Sequence, residues 1–285
     1  MTVIDRHRER VTAAAKDQSP ASPTGATVHF KNVSKIYRSL KGTDYVALKD
    51  FDLKIKAGEF FCLLGTSGCG KTTALNLAAG FEPPTEGAID IGGRAIRGPG
   101  ADRGVVFQGD DSLYPWLTAR GNVEFGSRIR SLRRHERQER AREYLRLVGL
   151  PGQDDKYPTE LSGGMKQRIQ IARVLANEPE MLLMDEPFAA LDAQTRAVMQ
   201  RELIRIWRAA GTTVLFITHD IDEAIVLATR IGVMHAGPAS RIRNVVDVNL
   251  DEGARKRTDP KFMNIYREVY DMIDEEMAVT RRTSA

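Results

Sequence analysis

The residues best suited to chemistry lie in one short loop. Its sequence matches the phosphate-binding pattern G-x-x-x-x-G-K-[ST], and it consists of Gly65, Thr66, Ser67, Gly68, Cys69, Gly70, Lys71, Thr72 and Thr73. An apolar run typical of a buried strand precedes the loop, and a helical pattern that ends at Gly80 follows it. This context favours an anion site over an ordinary glycine-rich turn. Backbone N–H groups and the helix N-terminus would hold phosphates, Lys71 would contact them, and the Thr72 hydroxyl would ligate Mg²⁺.

Polar residues follow three other apolar runs of the chain. Gln108 follows residues 104–107, Asp185 and Glu186 follow residues 181–184, and His219 follows residues 214–218. The pattern suggests that Asp185 positions Mg²⁺ and that Glu186 orients or deprotonates an attacking water. His219 can reach the same cleft, and the Gln108 amide can contact Mg²⁺ or water. The non-functional alternatives are that His219 is a structural histidine and that Gln108 is a solvent-exposed residue at a strand end.

The elements that must position these residues alternate between strands and helices, which predicts a mainly parallel sheet covered on both faces. In such a sheet, ligands bind at the carboxyl ends of the strands, where the polar residues above are placed. Alternating patterns at 28–33, 51–55 and 88–91 predict an antiparallel β subdomain, and 231–234 is predicted to be an edge or final strand. No strand pattern occurs between residues 118 and 177, so a helical insertion is expected at about 109–178, with Ser162 capping one of its helices.

Composition limits the class of protein. The chain has 285 residues with 42 basic and 38 acidic side chains well mixed along it, so the net charge of +4 is more typical of a solvated surface than of a nucleic-acid patch. The 2 cysteines, Cys62 and Cys69, suggest no disulfide framework and fit a reducing cytoplasm. No apolar run is long enough to span a membrane.

Three segments are expected along the chain. Residues 1–26 lack the apolar stretch of a signal peptide and are predicted to form a disordered tail. Residues 27–258 would form the nucleotide-binding domain. Residues 259–285 contain an amphipathic helix and a tail, and the apolar stripe of that helix would pack on its own domain or, as the alternative, face a partner.

The stretch at 161–168, Leu-Ser-Gly-Gly-Met-Lys-Gln-Arg, resembles the signature motif of ABC transporter ATP-binding subunits. The resemblance covers roughly residues 28–237 and implies the ABC ATPase fold: a P-loop NTPase core of class α/β with an antiparallel β subdomain and a helical insertion. It departs from the family at Met165, where glutamine is most common. The resemblance implies that Tyr37 stacks on adenine, that Gln108 is the Q-loop glutamine and that His219 is the switch histidine. It implies that Asp185 and Glu186 are the Walker B pair and that Asp192 belongs to the D-loop. Ser162, Gly163 and Gly164 would contact the γ-phosphate of the ATP held by the P-loop of a second copy.

A narrower resemblance points to the importer branch for taurine, aliphatic sulfonates and nitrate. It rests on residues 98–108, 113–116, 122–123 and 185–192. The resemblance implies an ATP-hydrolysing subunit that uses ATP and Mg²⁺ and pairs with a second copy of the ATPase subunit. Separate permease subunits and an extracytoplasmic solute-binding protein are implied as well, with this chain peripheral at the cytoplasmic face of the cell membrane.

Two alternatives come from other classes. The first is a soluble ABC ATPase that acts on nucleic acid or ribosomes, but such proteins usually carry two cassettes or a long coiled-coil insertion, and the sequence shows neither. The second is a structural module that binds ATP without turnover, which Glu186 and His219 argue against. We therefore expect no nucleic-acid partner.

Overall fold

The structure is a computed structural model that describes residues 24–39, 42–107, 113–189 and 191–283. Several features expected from the sequence lie wholly or partly outside these ranges. They are the tail at 1–26, of which only the last three residues are described, Gln108, the start of the helical insertion at about 109–178, Ala190 of the segment 185–192, and the last two residues of the C-terminal segment 259–285.

The elements alternate along the chain. The strands are β1 (Val28–Tyr37), β2 (Tyr45–Ile55), β3 (Phe60–Leu64), β4 (Glu86–Ile91), β5 (Arg94–Ala95), β6 (Arg103–Val106), β7 (Met181–Asp185), β8 (Thr213–Thr218), β9 (Arg230–Met234) and β10 (Ile242–Asp247). The α-helices are α1 (Lys71–Ala79), α2 (Ala119–Ile129), α3 (Arg134–Leu147), α4 (Gly163–Leu175), α5 (Ala193–Ala210), α6 (Ile221–Leu227) and α7 (Pro260–Thr283). Two compact units result: residues 25–100, 183–186 and 213–285 form the P-loop unit, and residues 101–182 and 187–212, with Thr24, form the helical unit.

The antiparallel sheet of the P-loop unit has the strand order β2-β1-β4-β5. Val28 pairs with Ile55 across β1 and β2, and the rings of Phe30 and Phe51 pack edge to face at 5.2 Å in its core. The sequence placed the end of the first strand at residue 33, but β1 continues to Tyr37. The strand crosses register shifts at 30/33 and 33/35, and these irregularities interrupt the alternation that the sequence pattern relies on.

The main sheet has the order β10-β9-β3-β8-β7-β6. The buried strand β3 pairs in parallel with β8 and with β9, as expected of the predicted parallel sheet. The prediction that 231–234 is an edge or final strand was wrong, because β10 follows it in sequence and pairs with it antiparallel. Strand β10 is only partly buried, so its apolar pattern is too weak to identify it from sequence.

Helices α2, α3 and α4 pack against one another in the helical unit. The buried face of α3 contains Ala141, Tyr144 and Leu145, the residues at helical spacing in the sequence. The side chain of Asn122 is fully buried and accepts a hydrogen bond from Tyr114 N–H at 2.8 Å, which fixes the chain entering α2.

Helix α7 packs on α6 and β9 of the P-loop unit. Its inward positions, seven residues apart, are Phe262, Val269 and the carboxylate Glu276, all buried. Tyr270 is exposed on the other side. Among the helices in the described ranges, none has the length and apolar character needed to cross a bilayer.

Candidate active site

The P-loop connects β3 to α1 by a backbone that only glycine accommodates well. Gly68 and Gly70 have φ values of 79° and 88°, in the left-handed region. A Cβ atom at Gly70 would lie 2.8 Å from Leu48 Cδ2 and 3.1 Å from Ala47 O, so a side chain there would clash with β2. No side chain caps the start of α1, which leaves its first N–H groups directed at an anion.

Lys71 lies across this loop with its ammonium directed back to the backbone. Its Nζ donates hydrogen bonds to Gly65 O at 2.8 Å and to Thr66 O at 2.9 Å. The side chain is nearly buried. A charged group held by carbonyl oxygens at the centre of a glycine-rich loop is suited to bind a phosphate that arrives there. Cys69 is buried beside it, and burial raises the pKa of its thiol.

Thr72 and Asp185 bring two oxygen donors together at the C-terminal end of β7. Thr72 Oγ1 donates a hydrogen bond to Asp185 Oδ2 at 2.9 Å. Burial raises the pKa of the Asp185 carboxyl, against the lowering effects of the Thr72 hydrogen bond and the Lys71 charge. A hydroxyl and a carboxylate beside a phosphate loop are the oxygen ligands that Mg²⁺ prefers, so the residues present fit this ion.

Glu186 and His219 lie in contact, and because catalysis is the role predicted for both, these two residues are called the catalytic pair below. His219 Nδ1 lies 3.0 Å from Glu186 Oε2. The backbone of Glu186 has φ 42°, and its N–H donates to Ile217 O at 3.0 Å, so the chain bends where β7 ends. This unusual φ and the bond to β8 direct the carboxylate towards the histidine that follows β8.

Tyr37 ends β1 in the same unit as the P-loop. Burial raises the pKa of its phenol, with smaller effects from hydrogen bonds to Thr73 and Glu82. Lys35 Nζ lies 5.0 Å from the centre of its ring. The hydrogen bond to Thr73 connects the tyrosine to the P-loop helix, while stacking on adenine stays a prediction.

The signature residues begin helix α4 in the helical unit. Ser162 Oγ accepts a hydrogen bond from Met165 N–H at 3.4 Å, which confirms Ser162 as the cap of this helix. Gly164 lies beside α5, where a Cβ atom would stand 3.4 Å from Thr195 Cγ2, an ordinary contact distance. Gln167 Nε2 donates to Pro187 O within the same unit.

Asp192 caps the helix that packs beside the signature. Its Oδ1 accepts hydrogen bonds from Gln194 N–H and Thr195 N–H, each at 3.0 Å. The hydrogen bond from the Thr195 side chain is the main cause that lowers the pKa of the Asp192 carboxyl. The structure therefore gives Asp192 a structural task, and its role towards nucleotide stays a prediction.

The sequence predictions are thus divided between two units. The P-loop unit brings together Lys71, Thr72, Asp185, Glu186 and His219, whereas Ser162, Gly163, Gly164 and Asp192 belong to the helical unit. Sequence reasoning missed Glu223, a buried carboxylate that accepts a hydrogen bond from Thr218. Its available signal was a glutamate four residues after His219 in a short helical pattern.

Comparison with known proteins identifies the family. The model of the ABC transporter family matches residues 48–189. Taurine import ATP-binding protein TauB of Sinorhizobium fredii is 51% identical over 73% of this chain and 79% of its own. Nitrate import ATP-binding protein NrtD of Synechococcus elongatus is 43% identical over 90% of this chain and 96% of its own. Bicarbonate transport ATP-binding protein CmpD of Synechocystis is 45% identical over 87% of this chain and 86% of its own.

A solved structure agrees with these relatives. It is a dimeric ATP-binding cassette in a post-hydrolysis state bound to ADP and Pi, 34% identical, with a TM-score of 0.66 over 79% of this chain and 100% of that chain. The match includes the mixed α/β core with its parallel sheet and antiparallel subdomain, which confirms the predicted fold class. The chain therefore belongs to the ABC transporter family, as an ATP-binding subunit of its importer branch with the fold of an ABC-type ATPase.

Proposed function

We propose that this chain hydrolyses ATP to energise uptake of a small anion through separate permease subunits. The observation that carries the proposal is the catalytic pair, Glu186 and His219 at 3.0 Å, in the same unit as the hydrogen-bonded Thr72 and Asp185. The predicted nucleotide-binding residues and a candidate general base, Glu186, therefore lie in one unit, as hydrolysis requires. A module that only binds ATP would need no such pair.

The P-loop binds the phosphates of the substrate ATP through chain atoms already in position. The uncapped N–H groups of α1 and the glycine backbone donate to phosphate oxygens. Lys71 exchanges its carbonyl partners, Gly65 and Thr66, for the β- and γ-phosphates, which are stronger acceptors because they are charged. Thr72 and Asp185 would hold Mg²⁺, and the bound ion would neutralise charge on the phosphates.

Glu186 accepts the proton from the water that attacks the γ-phosphorus. Its carboxylate is half-buried and is fixed by the bend at the end of β7. His219 orients this carboxylate through the 3.0 Å contact and supplies a donor beside the transferring phosphoryl group. Gln108, predicted to contact Mg²⁺ or water, completes the proposed set.

The proposed working form is a head-to-tail pair of copies related by a two-fold axis. Each ATP would lie between the P-loop of one copy and Ser162, Gly163 and Gly164 of the other. The start of α4 supports this: unlike α1 it is capped, since Ser162 Oγ accepts from Met165 N–H, but the hydroxyl hydrogen of Ser162 and the N–H groups before Met165 can still donate to an anion. The dimeric form of the solved relative with ADP and Pi supports the same arrangement.

The transported solute is proposed to be a small anion of the taurine, sulfonate or nitrate type. The names of the taurine and nitrate import relatives support this, and the bicarbonate relative extends the class to other small anions. The chain would act at the cytoplasmic face of the cell membrane, beneath permease subunits that receive solute from an extracytoplasmic binding protein. Trp116, 69% exposed and packed against Tyr114 at 5.4 Å, offers an aromatic surface for a permease.

The test combines phosphate release with identification of the proteins that co-purify with the chain. Lys71→Ala should abolish most phosphate release and weaken ATP binding, whereas Lys56→Ala, an exposed control outside the loop, should do neither. Purification from its native membrane should bring permease subunits with the chain. Equal phosphate release from Lys71→Ala and the unmodified chain would contradict the assignment, and co-purification with nucleic acid in place of a membrane protein would favour the soluble alternative.

A further inference from the structure

The switch histidine is itself weakly held. The His219 side chain is 62% exposed, and its contact in the described part of the chain is the one with Glu186. A side chain held by one exposed contact depends on its backbone for orientation. The position of His219 therefore depends on the contacts that fix the backbone between Thr218 and Asp220.

Glu223 provides a closed set of hydrogen bonds around that backbone. Thr218 Oγ1 donates to Glu223 Oε2 at 2.5 Å, and the Asp220 N–H donates to Thr218 Oγ1 at 3.0 Å. The Glu223 N–H in turn donates to Asp220 Oδ1 at 3.2 Å. The residues on both sides of His219 are thus connected to one carboxylate.

This carboxylate is buried, and its hydrogen bond fixes the direction in which the Thr218 hydroxyl points. Thr218 is 2% exposed and Glu223 is 5% exposed, so water competes poorly for either group. The threonine hydroxyl has a single proton, and donating it to Glu223 leaves the oxygen lone pairs free to accept from Asp220. A charged acceptor holds this orientation more strongly than a neutral one.

The helix that carries Glu223 is itself fixed at its other end. Arg255 Nη1 donates to Ile225 O at 2.9 Å and to Ala228 O at 2.9 Å, binding the last carbonyl groups of α6. Burial raises the pKa of the Cys62 thiol in β3, and the charge of Glu223 raises it further, as expected of a carboxylate directed towards the sheet. Glu223 therefore connects the core of the P-loop unit with the backbone on both sides of His219.

We propose that Glu223 is a positioning residue for hydrolysis, acting through Thr218 to keep His219 in line with Glu186. The inference rests on the proposed function, since it assigns Glu223 a task only if the catalytic pair hydrolyses ATP. Removing the charge lets the Thr218 hydroxyl rotate and the histidine backbone shift. Misplacing a catalytic group by a fraction of an ångström to 1 Å lowers turnover by about 10–10²-fold.

The test is steady-state phosphate release by the full chain, with ATP binding measured separately. Glu223→Gln keeps the size of the side chain and should lower kcat about 10–10²-fold while the KM for ATP stays within about twofold. Thr218→Val, which keeps the shape but removes the hydroxyl, should lose a similar factor, and Thr218→Ser should restore most of it. Asp222→Asn, the neighbouring carboxylate on α6 that pairs with Arg257, is the matched control and should behave as the unmodified chain does.

The double variant Thr218→Val/Glu223→Gln separates positioning from general destabilisation. If Glu223 acts through Thr218, the double variant should be no slower than either single variant, because the two changes remove the same interaction. Additive losses, or a Glu223→Gln variant with unchanged kcat, would overturn the inference while leaving the proposed function intact. Absence of phosphate release from the unmodified chain with MgATP would overturn both.

Discussion

Among the described residues of the P-loop unit, two histidine–glutamate pairs occur, and each histidine directly follows a strand of the main sheet. In the catalytic pair, His219 follows β8 and its Nδ1 lies 3.0 Å from Oε2 of Glu186, which follows β7. In the second pair, called the docking pair, His235 follows β9 and its Nδ1 lies 3.1 Å from Oε1 of Glu276 on α7. By residue type and distance the two pairs are nearly the same.

Their surroundings separate them. The docking carboxylate of Glu276 is only 10% exposed and also accepts from Arg243 Nη1 at 2.9 Å and from Ala236 N–H at 2.9 Å. The carboxylate of Glu186 in the catalytic pair is 26% exposed and stands at a bend next to Asp185, one of the proposed Mg²⁺ ligands. A carboxylate whose lone pairs are already occupied holds α7 to the sheet, whereas one with free lone pairs and solvent access can take a proton. We therefore expect the remaining hydrogen-bonding capacity of the carboxylate, and not the histidine contact itself, to decide which pair can act in catalysis.

The largest expected effect comes from the catalytic carboxylate. Glu186→Gln keeps size and hydrogen bonding but removes the base, so turnover should fall by about 10²–10⁴-fold. ATP binding should survive because Lys71, Thr72 and the loop backbone remain. Phosphate release and equilibrium ATP binding measure the two quantities, and an unchanged rate would remove Glu186 as the base and leave His219 as the next candidate.

The second effect concerns the catalytic histidine. His219→Ala removes one aligned donor near the developing charge, for which a loss of about 10²–10³-fold in kcat is typical. His235→Ala is the matched control in the docking pair and should leave kcat unchanged. If both substitutions lower kcat equally, the distinction between the pairs fails.

The third effect is on stability instead of turnover. Glu276→Ala leaves the Ala236 N–H without its acceptor and removes one of the two carboxylates bonded to the Arg243 guanidinium, so the free energy of unfolding should fall by about 1–3 kcal/mol. Denaturant unfolding of the full chain measures this, and hydrogen exchange should show α7 loosened first. A stable Glu276→Ala variant with reduced turnover would reverse the roles given to the two pairs.

The smallest effect comes from the docking histidine. His235 is 37% exposed, so its contact with Glu276 is partly screened by solvent. His235→Ala should lower the free energy of unfolding by less than about 1 kcal/mol, because Arg243 and the Ala236 N–H still hold the carboxylate. A loss as large as that of Glu276→Ala would mean that the histidine is the principal partner.

The sequence predicted the features that depend on neighbouring residues. The P-loop follows from a local pattern of strand, glycines and helix, and the meeting of residues 185, 186 and 219 with the P-loop follows from the rule for parallel strands. Strand β10 was missed because its half-exposed residues lack clear alternation. Glu223 and Glu276 were missed because their importance depends on burial and on contacts, and the contacts of Glu276 are made across 33 to 41 residues of chain.

The role of the catalytic pair is tested most directly by the nucleotide that stays bound to two matched variants. Glu186→Gln and Glu276→Gln, each the isosteric change in one pair, are incubated with MgATP, separated from free nucleotide and analysed for ATP and ADP. We predict that Glu186→Gln retains ATP, in a form with twice the mass of one chain, whereas Glu276→Gln converts it to ADP as the unmodified chain does. Conversion to ADP by both variants at the same rate would contradict the assignment of hydrolysis to the catalytic pair.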